Sequence, residues 1–168
     1  MSDAWVMAVN AIIVPFEDTA HRHQVIALWE AMFGYETAHN RPCVAIDKKV
    51  EAEDGLFFVA VLGDQVIGTV MAGYDGHRGW IYSVAVHPEW QKHGLGHALV
   101  RRLVSEAEGR GLRALYLLTM TAEHYFPRFG FERVARDSVP ADIAATAEFR
   151  SACPASATVM MRPLEPPA

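Results

Sequence analysis

Apolar residues recur along this chain in two rhythms, and the change from one to the other marks its elements. Residues 8–14 are a short run rich in β-branched side chains, bounded by Pro15, which predicts a first strand. Asp18 or Thr19 then offers an N-cap to a stretch in which Val25, Ile26, Trp29, Met32 and Phe33 share one helical face, with Gly34 as the stop. Residues 35–55 are weakly patterned. Pro42 disfavours helix before it, and the expectation is a mobile connection with one or two helical turns through residues 46–50. Two strand-like runs follow, 56–62 and 66–74, joined by Gly63-Asp64-Gln65, which predicts an antiparallel hairpin. The polar turn Tyr74-Asp75-Gly76-His77-Arg78-Gly79 leads, through another hairpin, into a strand over 81–86.

Beyond His87-Pro88 the spacing becomes helical, with Leu95, Leu99 and Leu103 on one face and Ala98 between them. Gly109-Arg110-Gly111 supplies the stop, and 112–119 reads as a strand whose expected partner is 81–86. Residues 121–131 predict a short helix, interrupted or tightened by Pro127 and ended by Gly130. Pro140 opens a further helix toward Phe149, and 157–162 predicts a last strand before a frayed end starting at Pro163.

Composition narrows the class. A chain of 168 residues suits one domain able to bury most of its apolar surface. Fifteen basic residues stand against twenty acidic ones, a net charge of −5 with no long basic run, so nucleic acid is not an expected partner, while a cationic substrate is compatible with this charge. The two cysteines, Cys43 and Cys153, form no CxxC pair and have no histidine at metal-ligand spacing, which favours incidental thiols in a reduced compartment. The N-terminus carries Asp3 where a secretory signal would carry positive charge, and no run of eighteen apolar residues occurs. A soluble, cytoplasmic protein without a membrane partner is expected.

Candidate chemistry concentrates where strand 81–86 turns into the helix. Gly94 and Gly96 fall at the helix start, where backbone N–H groups lack intrahelical partners and the dipole is positive, an arrangement suited to a phosphate. The spacing is neither the three-glycine dinucleotide fingerprint nor a Gly-Lys-Ser/Thr P-loop. An ordinary glycine-rich turn is the plain alternative. Val86-x-Pro88-x-Trp90-Gln91-x-x-Gly94-x-Gly96, between a strand and an amphipathic helix, resembles the acyl-CoA signature of the GNAT superfamily of N-acetyltransferases.

That resemblance implies an α/β (α+β) GNAT fold in a single domain over residues 1–168, with its core at about 8–164. Such a fold has one mixed, mostly antiparallel sheet of six to seven strands, parallel strands splayed at the cofactor site, and about four flanking helices. It further implies acetyl-CoA as acyl donor, without a metal. Val84, Ala85, Val86, Gln91, Lys92, His93, Gly94, Leu95, Gly96 and His97 would bind it, with the backbone of Val84 and Val86 on the pantetheine arm.

The acceptor side is less sharply marked. The Tyr74 to Gly79 turn, followed by the Val-His-Pro strand end, is similar to YpeA-like acetyltransferases and makes Asp75, His77 and Arg78 acceptor-side candidates, although a polar hairpin needs no function. Glu30 and Arg41 are further substrate-binding candidates, each with an ordinary surface role as alternative. GNAT proteins commonly place tyrosine, as thiolate acid, four residues before the Gly-Phe that here is Gly130-Phe131. This chain has Phe126 there and Tyr125 one residue early. That departure, with the tail from Val139, resembles N-acetylglutamate-synthase-like and arsenic-resistance-associated GNAT proteins.

Acetyl transfer to an amine needs a held thioester, a deprotonated nucleophile and donors for the oxyanion, for which a main-chain N–H near Val86 is the natural choice. Tyr125, Tyr82 and Asp75 are the catalytic candidates, with Tyr82 or Ser83 facing the cleft to order a water and His77 or Glu30 as other ionisable groups. His87 and His93 fit positioning better. The function read from these residues is an acetyl-CoA-dependent N-acetyltransferase acting on a small amine, such as an amino acid, by direct attack in a ternary complex. The alternatives are a protein N-terminal or lysine acetyltransferase and an acyl-CoA-binding sensor without turnover. Many members of the superfamily are dimers, so a homodimer is the oligomer the resemblance allows.

Overall fold

The computed structural model describes residues 10–33, 42–74, 78–119, 122–141 and 158–165. Its strands are β1 (Ile12–Pro15), β2 (Phe57–Leu62), β3 (Gln65–Tyr74), β4 (Arg78–Val86), β5 (Ala114–Thr119), β6 (Glu132–Arg133) and β7 (Thr158–Pro163), and its helices are α1 (Asp18–Phe33), α2 (Pro42–Ala52) and α3 (Leu95–Gly109). The strands hydrogen-bond in the order β1-β2-β3-β4-β5-β7-β6, a seven-stranded mixed sheet in which β4 and β5 run parallel. Three helices lie among the described residues. The helix expected from Pro140 to Phe149 falls beyond them except for its first residues. The chain forms two compact units, Met1–Met71 with Ser83–Val104, and Ala72–Tyr82 with Ser105–Ala168.

In the first unit, β1 pairs antiparallel with β2 from Ile12 on Val61 to Pro15 on Phe58, and β2 pairs with β3 across the Gly63-Asp64 turn. Pro15 is therefore the last residue of β1 and not a boundary before it. Gln24 on α1 clasps the hairpin from outside the sheet: its amide donates to the Asp64 carbonyl at 2.9 Å and its oxygen accepts from Val66 N–H at 2.8 Å. The inner face of α1 is Val25, Leu28 and Trp29, all buried, with Trp29 stacked over Phe57 and Phe57 over Phe16.

α2 is longer than the few turns its spacing suggests. Pro42 serves as a first-turn residue, where its missing N–H costs nothing, and Ile46 and Lys49 turn inward from the same face. Lys49 is only 7 % exposed and closes an ion pair with Asp54 at 2.7 Å, while the other Asp54 oxygen accepts from Leu56 N–H at 3.0 Å. A buried lysine in the apolar stripe obscures the full length of the helix, of which only the turns through residues 46–50 are expected from the sequence.

α3 carries the expected stripe. Leu95, Leu99 and Leu103 are buried, with Ala98, Val100 and Val104 beside them. Gly68 on β3 lets this helix approach, since a β-carbon there would stand 2.9 Å from Leu99 Cδ1 and 3.2 Å from the Ala85 carbonyl. Arg102, on the outer side of the helix, lays its guanidinium over the Phe58 ring at 5.0 Å.

In the second unit the parallel ladder matches Arg78 with Ala114 through Ile81 with Leu117, and β7 pairs antiparallel with β5 on its other edge. Gly73 leaves room for Trp80, whose ring atoms would lie 2.2 Å from a β-carbon at 73. Residues 126–129 form a 3-10 turn, the tightened form expected around Pro127, shorter than the span 121–131. Pro127 sits in its first turn, and Gly130, at φ 84, closes it by donating to the Pro127 carbonyl. Phe126, Phe129 and Phe131 pack edge to face or tilted in the core beneath. Arg162 locks the turn by donating to the Phe129 carbonyl at 2.8 Å, with Glu108 at 3.4 Å on the same guanidinium. Pro163, expected to begin a frayed end, lies in β7, and buried Leu164 donates its N–H to the Arg113 carbonyl.

Candidate active site

The first unit carries the strand end, turn and helix start as one run. Main chain at the end of β4 is held by β3: His87 N–H donates to the Ile67 carbonyl at 2.8 Å, and the Ser83 carbonyl accepts from Thr69 Oγ1 at 2.8 Å. Ser83 itself has φ 55, a left-handed conformation inside a strand. A non-glycine residue there costs about 1–3 kcal/mol and persists only where its surroundings hold it. The period-two argument that would set Tyr82 and Ser83 on opposite faces does not carry across this residue. Val84 and Val86 are half-buried, and Ala85 is buried between them.

Pro88–Trp90 is a 3-10 turn capped by His87, whose Nδ1 accepts from Glu89 N–H at 3.2 Å. His87 thus has a capping role. The chain then bends through two left-handed residues, Lys92 at φ 68 and Gly94 at φ 82. Gln91 folds its side chain back and donates to the Val86 carbonyl at 3.0 Å, tying the turn to the strand it leaves. His93 packs its ring against Trp90 at 6.1 Å.

Gly94 is where α3 starts, because its carbonyl accepts the first intrahelical bond, from Ala98 N–H at 3.0 Å. The amides of Leu95, Gly96 and His97 therefore precede the first intrahelical donor, at the positive end of a 15-residue helix. Leu95 is buried, which anchors the helix, whereas Gln91, Lys92 and His93 are exposed and Gly94, Gly96 and His97 partly so. The helix-start position of these amides, the small side-chain bulk at Gly94 and Gly96 and the neighbouring Lys92 suit an anionic pyrophosphate.

The remaining candidates lie elsewhere. Glu30 is an exposed residue of α1 in the first unit. In the second, Arg78 opens β4 opposite Ala114, and Tyr82 is half-buried on the same strand. Tyr125 ends the segment before the 3-10 turn, its ring edge-on to Phe126 and Phe129, each at 5.3 Å, and under the Arg128 guanidinium at 4.6 Å. Burial pushes its phenol above the ordinary value, and the Arg128 charge opposes that rise only in part. Arg41, Asp75 and His77 lie outside the described residues. Among the described residues no group of three or more His, Cys, Asp or Glu side chains is arranged to hold a metal ion, and no helix is long and apolar enough to cross a membrane.

Residues 18–131 match the model of the acetyltransferase (GNAT) family. The chain belongs to that family. Acetyl-CoA is the acyl donor that goes with this membership. Among solved structures, the fold is similar to N-acetylglutamate synthase from Neisseria gonorrhoeae in complex with coenzyme A and N-acetyl-glutamate, at 19% identity and a TM-score of 0.69 over 92% of this chain and 35% of that one. This GNAT chain thus spans about a third of the length of that synthase. A Mycobacterium tuberculosis protein in complex with CoA matches at 22% identity and a TM-score of 0.74, covering 92% and 99% of the two chains. A Staphylococcus aureus GNAT-family acetyltransferase matches at 14% identity with the same TM-score and the same coverage.

Two parts of the site carry no sequence signal of their own. Ser83 has no side-chain feature that announces a left-handed backbone. Thr69 is a single polar residue in the apolar run 66–74, and only that interruption hints at a buried hydrogen bond.

Proposed function

We propose that this protein is an acetyl-CoA-dependent N-acetyltransferase whose acceptor is a small-molecule amine, an amino acid or a close analogue, and that residues 1–168 act as one catalytic domain in the cytoplasm. The observation that carries the donor half is the amide cluster Leu95, Gly96 and His97 at the start of α3, fixed to β4 through the Gln91 to Val86 bond. In this reading these amides, with Lys92 and Gly94, take the pyrophosphate, and main chain at Val84, Ala85 and Val86 takes the pantetheine arm. His93 borders the same turn.

The acceptor half rests on weaker support, the fold likeness to a synthase whose complex holds N-acetyl-glutamate. Arg78, with Arg41 and His77, would pair a carboxylate or amide of the acceptor, and Glu30 would attract its ammonium. Once a base removes a proton from the ammonium, the free amine attacks the thioester carbonyl and a C–N bond forms; the nitrogen then gives up its second proton to solvent or the same base, the C–S bond breaks, and the thiolate leaves with a proton from solvent or a side chain. A Val86 N–H aimed at the carbonyl oxygen supports the developing charge. Asp75 and a water held by Tyr82 are the proposed routes for the first proton, and Tyr125, whose phenol is kept neutral by burial, is the proposed donor of the last. In this scheme metal ions play no part and a homodimer is the assembly.

Steady-state CoA release with free amino acids, polyamines and lysine-containing or free-N-terminal peptides tests this reading. Turnover that is fastest on a free amino acid is expected. Preference for a peptide would move the acceptor to protein, and tight acetyl-CoA binding without turnover on any amine would make the protein a sensor.

A further inference from the structure

We infer that Trp29 and Thr69 are positioning residues for the acyl donor, acting through a one-way hydrogen-bond relay that orients the Ser83–Val84 peptide. The inference rests on the proposed reading of Val84 as a contact of the pantetheine arm.

Trp29 Nε1 donates to Thr69 Oγ1 at 2.8 Å, and Thr69 Oγ1 donates to the Ser83 carbonyl at 2.8 Å. Trp29 and Thr69 are both 0 % exposed, so the bond between them is shielded from water, while the bond to the carbonyl of half-buried Ser83 is partly so. The direction of the relay is chemically forced. An indole N–H only donates and a carbonyl only accepts, so the hydroxyl between them must receive from Trp29 and give its single proton to Ser83. Each member also polarises the next in a dry environment.

What the relay fixes is a peptide plane. Because the Ser83–Val84 peptide is planar and trans, a Ser83 carbonyl aimed at Thr69 sends the Val84 N–H to the opposite edge of the same plane. Ser83 is also the residue of β4 with a positive φ, 55, where the direction of that plane departs from regular strand geometry. Rotation of this peptide would break the bond to Thr69 and redirect the Val84 N–H together.

β3 supports the same stretch on either side. Ile67 accepts from His87 N–H, and Gly68 admits the Ala85 carbonyl close to its own backbone. Three consecutive residues, Ile67, Gly68 and Thr69, therefore set β4 from Ser83 to His87, and α1 reaches this point through Trp29. The hydrogen bonds described for residues 87–97 involve none of Trp29, Thr69 and Ser83, so the two halves of donor binding are set to separate experimentally.

The test is calorimetric titration of CoA and of 3′-phospho-ADP, the part of CoA that ends at the pyrophosphate, into wild type, Thr69→Val, Thr69→Ser and Trp29→Phe. Thr69→Val and Trp29→Phe are expected to weaken CoA by about fivefold to tenfold while leaving 3′-phospho-ADP within about twofold, and Thr69→Ser, which keeps the hydroxyl, to leave both near wild type. Thr69→Val matches the volume it replaces, and Trp29→Phe tests the relay from its other end if the valine variant does not fold. Equal weakening of both ligands would reduce Thr69 to a general structural role, and no weakening of either would overturn the relay alone. A wild type that binds neither ligand overturns the donor reading itself and the relay's purpose with it.

Discussion

The side-chain amide of Gln91 donates to the Val86 carbonyl at 3.0 Å, so the first residue of the turn is bonded to the last residue of β4. Gln91 is exposed, and the bond therefore contributes little to global stability but sets the angle at which the turn leaves the strand. Gln91→Leu is expected to weaken CoA binding by about fivefold while changing unfolding free energy by less than about 0.5 kcal/mol. Calorimetry and urea denaturation on the same preparation check both numbers.

Gly68 holds α3 and the end of β4 at their observed spacing. A β-carbon there meets Leu99 Cδ1 at 2.9 Å, which a leucine can yield, and the Ala85 carbonyl at 3.2 Å, which has less freedom. Gly68→Ala should cost about 1 kcal/mol or a little more, and Gly68→Val about 3 kcal/mol, by forced displacement in a packed core. Urea unfolding curves that overlay wild type for Gly68→Val would refute this packing account.

The Lys49–Asp54 pair is the buried charge of α2, with its ammonium 2.7 Å from the carboxylate. Asp54→Ala removes both the charge partner of a buried lysine and the acceptor for Leu56 N–H. A loss of about 3 kcal/mol is expected, read as a lowered denaturation midpoint. A change under about 0.5 kcal/mol would mean that water reaches Lys49.

Tyr125 makes a pH-dependent contribution of known sign. Its folded phenol titrates above the ordinary 10.0, chiefly through burial, so both folded and unfolded chains hold the proton at lower pH. Between the ordinary value and the raised one the unfolded state ionises first, and stability falls as pH rises through that window. Tyr125→Phe should remove this alkaline slope, measured by urea unfolding at stepped pH. If Tyr125 is also the acid for the thiolate, the same variant lowers the maximal rate and leaves acetyl-CoA affinity unchanged, while an unaltered rate excludes it from that role.

Much of this architecture is legible in the chain because its helices and strands carry strong periodicity. α1 spans Asp18–Phe33, and the Leu95, Leu99 and Leu103 stripe is buried as spaced. The Gly63-Asp64 hairpin and the parallel partnership of β4 with β5 follow from short loops and from the resemblance. The helical turns expected through residues 46–50 are part of α2, whose full extent is obscured because Lys49 interrupts its apolar face, and β6 escapes because two residues leave no rhythm. The turn geometry at Gly94, left-handed at the start of α3, is local and therefore readable. The relay is not, since Trp29 and Thr69 stand 40 residues apart and meet only once α1 lies on the sheet. Trp29 reads as one more core aromatic until its Nε1 is seen to have a partner.

In the proposed function the amides opening α3 hold the donor's pyrophosphate. Titrating CoA into isotopically labelled protein and following the backbone amide resonances tests it most directly. The amides of Leu95, Gly96 and His97 should shift progressively and saturate together with the phosphorus resonances of CoA. Saturable CoA binding that leaves those three amides unmoved would contradict the account.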